Sequence, residues 1–158
     1  MKQIVSMLIL ILVTVSSYTA EPGLVVNRQE GFRIATLEAT PEARGHQILI
    51  MFLPVDDGYA PSVNIMTQDF DGTLAEYKEI TESQFQQLGL NTIINKIEDD
   101  IYIIEYSGVI QGKDLHVYSK ATQRGSSVYL VTGTTANAQW EKYNDQLIDV
   151  VNTFQLVN

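Results

Sequence analysis

The feature that most constrains this chain is a succession of four strand-like runs, at residues 92–97, 101–109, 115–122 and 127–135, joined by very short connections. The joints are Glu98-Asp99-Asp100, Gln111-Gly112-Lys113 and Arg124-Gly125. Parallel neighbours need a crossover of a dozen or more residues, so runs this closely spaced pair antiparallel, as a meander of hairpins. Two of the runs are apolar on both faces: Ile101 and Ile103 alternate with Tyr102, Ile104 and Tyr106, and Val128 and Leu130 alternate with Tyr129 and Val131. A sheet wetted on one side has no need of that pattern, whereas a sheet covered on both sides does.

Two amphipathic segments are available to cover it. Over 73–88, Leu74, Tyr77, Thr81, Phe85 and Leu88 recur at spacings of three and four, one face of a helix. Thr73-Leu74-Ala75-Glu76 is a capping box at its start and Gly89 stops it. Over 137–154, Trp140, Tyr143, Leu147, Ile148, Val151 and Phe154 form a second stripe. Upstream, Leu24-Val25-Val26 and Phe32-Arg33-Ile34 read as strand pieces around a polar turn. The continuous apolar run 48–53 predicts an inner strand, ended by Pro54 and the turn Asp56-Asp57-Gly58, with 63–67 as its hairpin partner. The expected fold is α+β, an antiparallel meander sheet flanked by two helices.

The first twenty residues read differently. Met1-Lys2-Gln3 precedes an apolar run at 4–15 and then the small and polar Ser16-Ser17-Tyr18-Thr19-Ala20, the layout of a secretory signal peptide. Twelve helical residues reach only about 18 Å against a hydrocarbon core of roughly 30 Å, so no stable membrane anchor is expected. Cleavage after Ala20 would place Tyr18 where a small residue is usual, and cleavage after Ser16 or Ser17 is the alternative. The organisation expected is a signal peptide at 1–20 and one domain at 21–158, in a periplasmic or secreted protein.

Cysteine is absent, which removes disulfides, thiol catalysis and a lipoprotein anchor. The net charge of -9 becomes -10 without Lys2, a balance that repels phosphate backbones and argues against nucleic acid as a partner. His46 and His116 lie seventy positions apart with no metal-ligand spacing between them. His116 shares a strand face with Tyr118 and Lys120, opposite Leu115 and Val117, and is expected as a surface or rim residue.

Asp69-Phe70-Asp71-Gly72-Thr73-Leu74 matches the D-x-D-G-T-L nucleophile motif of haloacid-dehalogenase-like phosphatases. In that chemistry Asp69 would attack phosphorus and Asp71 would serve as acid/base beside Mg²⁺. The context opposes it, because the chemistry needs a parallel doubly wound sheet and only 84 residues follow the motif, reading as hairpin strands and one helix. Asp56-Asp57-Gly58 with Asp69 and Asp71 could be weighed as Ca²⁺ ligands, but the remaining positions of an EF-hand loop are missing and Asp-Gly pairs favour turns. No metal and no cofactor is therefore expected. Tyrosine numbers eight, and sheet packing accounts for most of them; the alternative is that Tyr59 and Tyr118 belong to a binding surface.

Several segments together resemble the PsbP-like and DcrB-related proteins. These are Gly31-Phe32-Arg33-Ile34, Phe52-Leu53-Pro54, Pro61-Ser62-Val63-Asn64-Ile65, the helix from Thr73, and Asn152-Thr153-Phe154. The resemblance implies an antiparallel sheet flanked by helices and roles in binding, as extrinsic photosystem subunits, bacterial envelope proteins or chaperones of type VI secretion effectors. It carries over no catalytic residue, and the signal-like start argues against the cytoplasmic chaperone branch. The expectation is an exported, non-enzymatic binding or accessory protein whose partner is another envelope protein. Asp56, Asp57, Tyr59 and Pro61 are the candidate partner-binding residues. The alternatives are a small Mg-dependent phosphatase using Asp69 and Asp71, and a carrier of a lipid or other small ligand.

Overall fold

The computed structural model describes residues 24–27, 31–35 and 45–157. The signal-peptide expectation at 1–20 lies outside them. The chain divides into two compact units, Met1–Ala43 and Arg44–Asn158. In the first, β1 (Leu24–Asn27) and β2 (Phe32–Ala35) form an antiparallel hairpin in which Leu24 faces Ala35.

The second unit is an α+β fold. Its strands are β3 (Gly45–Phe52), β4 (Ser62–Asp69), β5 (Asn91–Glu98), β6 (Ile101–Ile110), β7 (Lys113–Arg124) and β8 (Ser127–Ala136), with α1 (Leu74–Leu88) between β4 and β5 and α2 (Trp140–Asn152) after β8. The six strands lie in the order β3-β4-β8-β7-β6-β5, every neighbouring pair antiparallel. The expected meander is therefore β5 to β8, closed on the far side by β4 and then β3.

Register explains the two-sided apolar strands. Tyr102, Ile104 and Tyr106 of β6 are buried on one face, where Tyr77 of α1 meets Tyr102 edge-on at 6.3 Å and Phe85 meets Tyr106 at 4.3 Å. Ile103, between them, points to the other face and packs on the core cluster of Val63, Tyr118, Val131, Trp140, Leu147 and Val151 beneath α2. The helices thus cover opposite faces, α1 over β5 and β6 and α2 over β8, β7 and β4. At Gly133 an added Cβ would stand 3.1 Å from the Leu147 Cβ and 3.4 Å from Val151, so β8 needs glycine there for α2 to come this close. The stripe predicted for the last helix begins with one 3₁₀ turn, Asn137–Gln139, before α2 proper, and Phe154 packs on the core after the helix has ended.

The structure corrects one strand. The run expected to be an inner strand is β3, an edge strand that pairs, among the described residues, with β4 alone. Ile48, Ile50, Met51 and Phe52 remain exposed on it, and a bulge between Gln47 and Leu49 shifts its register. A continuous apolar run states how much cover would gain, but not where in the sheet the strand falls: among the described residues β4 lies between β3 and β8, and β3 ends the order.

Candidate functional site

The connection from β3 to β4 stands at the end of the sheet where β8 gives way to the 3₁₀ turn and α2. It closes on itself: the Leu53 N–H donates to the Pro61 carbonyl at 2.8 Å, and Asp56 and Tyr59 exchange N–H to C=O bonds at 2.9 and 3.0 Å. The two residues between them, Asp57 at φ 44° and Gly58 at φ 76°, both take left-handed backbone, the requirement of a tight two-residue hairpin turn that Asp-Gly meets.

The turn is then fastened from outside. Lys142 Nζ donates to the Asp56 carboxylate at 2.7 Å and the Tyr143 hydroxyl donates to the same oxygen at 2.9 Å. The Lys142 bond, followed by that from Tyr143, holds the Asp56 carboxyl below the usual carboxylate range. The Asp56 carbonyl accepts from Gln139 Nε2, and the buried Gln139 accepts in turn from the Thr135 hydroxyl at 3.2 Å. On the other side Lys113 Nζ lies 5.4 Å from the centre of the Tyr59 ring, a cation–π contact, and burial pushes the Tyr59 phenol up.

The four residues singled out from sequence consequently divide. Asp57 is exposed and Tyr59 half-buried at the surface, while the Asp56 carboxylate is taken up by α2 and Pro61 is fully buried beneath the turn. Pro61 therefore supports the loop rather than offering a surface. Sequence reasoning missed the exposed Val55 beside the turn and the side chains of Gln139, Lys142, Tyr143 and Lys113 that hold it, which come from 50 to 90 residues away. No local signal announces such contacts.

His116 is the clearest correction. It is 6 % exposed, not a rim residue: its ring stacks on Trp140 with centroids 3.7 Å apart and planes at 5°, and its Nε2 stands 2.8 Å from Glu105 Oε1. Its Nδ1 lies 3.3 Å from Asn137 Oδ1. Tyr118, weighed as part of a binding surface on the same strand face, is buried and donates to Asn152 Oδ1 at 3.4 Å. Alternation did assign His116 and Tyr118 to one face, but that face is the one α2 covers.

Asp69 ends β4 and Asp71 comes two residues later, both exposed. The motif does not stand at the mouth of a parallel sheet, since β4 runs antiparallel to β3 and β8. Thr73 caps α1, its hydroxyl accepting from the Glu76 N–H at 3.2 Å while its own N–H donates to the Glu76 carboxylate at 2.8 Å. Gly72 gives its carbonyl to Gln123 at 2.7 Å, and a Cβ there would strike the Phe70 ring at 2.7 Å. The geometry is that of a strand end and a helix cap. Among the described residues no three His, Cys, Asp or Glu side chains gather as a metal would need, and no helix is long and apolar enough to cross a membrane.

Neither a family model nor a curated protein sequence matches the chain. Among solved structures, a Pseudomonas aeruginosa protein of unknown function is similar at 13% identity and a TM-score of 0.60, over 88% of this chain and 99% of that one. Cyanobacterial PsbP from Synechocystis is similar at 11% identity over 90% and 96% of the two chains, with a TM-score of 0.43. LpqN of Mycobacterium tuberculosis, described as involved in cell envelope biogenesis, is similar at 11% identity over 85% and 84%, with a TM-score of 0.48. Scores under 0.5 carry no weight, so the likeness rests on the first and is one of fold: an antiparallel sheet flanked by two helices.

Proposed function

We propose that the chain is an exported, non-enzymatic accessory protein that binds another envelope protein through the end of its sheet bearing the Asp56–Tyr59 turn. The observation that carries this reading is how firmly that turn is held. Three side chains of the 139–143 segment hold Asp56, and Lys113 covers Tyr59, while Asp57 and Val55 are left to solvent. A surface already ordered before a partner arrives loses less conformational entropy on binding, the usual advantage of a preorganised site. The signal-like start supports an extracytoplasmic address. Kinship with the PsbP-like and DcrB-related proteins, drawn from the motifs, belongs to the same proposal.

The test places a photo-crosslinking residue at Asp57 in the mature protein and exposes it to envelope extract. One crosslinked protein, lost when Val55→Asp is added, is the expected result. No crosslink at Asp57, or one that survives Val55→Asp, would refute the assignment. A phosphatase assay with Mg²⁺ tests the other half: turnover abolished by Asp69→Asn would overturn the non-enzymatic reading.

A further inference from the structure

The geometry points to a proton-carrying latch at His116 that ties the posture of the Asp56–Tyr59 turn to pH. Its regulatory meaning rests on the partner-binding role proposed for that turn, while its structural content stands apart from it. The first ground is a count of donors. Nε2 faces the Glu105 carboxylate, which only accepts, at 2.8 Å. Nδ1 faces Asn137 Oδ1 at 3.3 Å, and the orientation of that amide is set from its far end, where Asn137 Nδ2 donates to Asp114 Oδ2 at 3.2 Å. Both ring nitrogens therefore meet acceptors. A neutral imidazole has one donor, and only the imidazolium has two.

The surroundings agree with a cation. The ring lies flat on the Trp140 indole, an arrangement that favours a charged ring. Its cross-strand neighbours are Ser107 on β6 and Thr135 on β8, neither charged. The charges facing it are Glu105 directly and Asp114 through Asn137, both negative.

The second ground is position. Asn137 and Trp140, which hold the ring, alternate in one short segment with Gln139, Lys142 and Tyr143, which hold Asp56. When the ring gives its second proton to solvent, it keeps one donor for Glu105 and turns a lone pair toward Asn137 Oδ1. Relief requires the Asn137 amide to rotate, which withdraws its amino group from Asp114 and loosens the segment that grips the loop. The turn is thus held while His116 is charged and released as the ring becomes neutral.

Nitrogen-15 NMR of the mature protein titrated from about pH 5 to 8 tests this across the range in which histidine changes charge. Both His116 ring nitrogens are expected to be protonated at the acid end, and the amides of Asp57, Gly58 and Tyr59 to shift with the same midpoint as the ring. H116F, which keeps an aromatic ring on Trp140 but no donors, and N137A should each abolish that transition at the loop. H46Q, at the exposed histidine, should leave it intact. A single protonated ring nitrogen throughout, loop amides indifferent to the ring, or a transition removed by H46Q would overturn the latch. If H116F does not fold, the wild-type and H46Q titrations decide. Crosslinking at Asp57 that fails at every pH would refute the partner role and leave the latch standing, whereas loop amides that ignore the ring would refute the latch alone.

Discussion

Replacing Leu147 with alanine should unlatch α2 from the sheet. Leu147 is 2 % exposed and sits in the cluster with Val63, Tyr118, Val131, Trp140 and Val151. Leucine-to-alanine changes in cores cost about 2–5 kcal/mol, the spread reflecting how far the site can collapse around the lost atoms. Here collapse is blocked, because the helix already stands so close to β8 that a Cβ on Gly133 would lie 3.1 Å from the Leu147 Cβ. The backbone cannot move inward to fill the void, which places the cost at about 3–4 kcal/mol. For a unit of this size that corresponds to a fall in Tm of roughly 12 °C or more. Urea unfolding followed by far-UV circular dichroism, with the midpoint lowered at constant slope, measures it. Leu88→Ala on α1 is the control: Leu88 occupies the predicted helical stripe but is 61 % exposed, so its loss should fall within about 0.5 kcal/mol. A cost below about 1 kcal/mol for Leu147→Ala, or equal costs for the two variants, would refute the claim that α2 is anchored by its apolar stripe.

Thr73→Ala removes the side-chain acceptor of the α1 capping box and should lower stability by about 1 kcal/mol in the same assay, with no other element changed. Burial pushes the Tyr77 and Tyr106 phenols up to about 12. Because the unfolded chain releases these protons near the ordinary tyrosine value of 10.0, their contribution is whole below that value and is lost as pH rises toward the folded one. Spectrophotometric titration should show a tyrosine fraction ionising late and together with unfolding. The Asp56 carboxyl shifts the opposite way, so its hold on Lys142 and Tyr143 persists above the ordinary carboxylate value of 3.8 and is lost as pH falls through the lower folded value. A separate shift of the Asp57 and Gly58 amides at that acid end, below the histidine range and absent in Asp56→Asn, would bear this out.

What local pattern determined was the kind of element and, in most cases, its face. The short joints between 92 and 135 left no alternative to antiparallel hairpins, and β5 to β8 form that meander. Thr73 and Glu76 marked the start of α1 because a cap is a contact across three residues, wholly contained in the local chain. The phosphatase-like motif could be set apart from its chemistry on similar grounds, since the runs that follow it read as antiparallel hairpins and not as the strand–helix units of a parallel sheet. Where order in the sheet mattered, local pattern was silent: the run at 48–53 is apolar enough for an inner position, yet β3 is an edge.

The candidate site was decided almost entirely by tertiary structure. The turn at Asp56-Asp57-Gly58 could be read from its residues, because left-handed backbone at two successive positions is a local demand. That Asp56 is held by Lys142 and Tyr143, that Pro61 is buried, and that His116 lies under Trp140 between Glu105 and Asn137 depend on pairings 11 to 87 residues apart. Alternation along β7 placed His116, Tyr118 and Lys120 on one face, but only the path of α2 made that face an interior. A strand's own periodicity tells which side chains travel together; which side meets water is settled by what the rest of the chain lays over it.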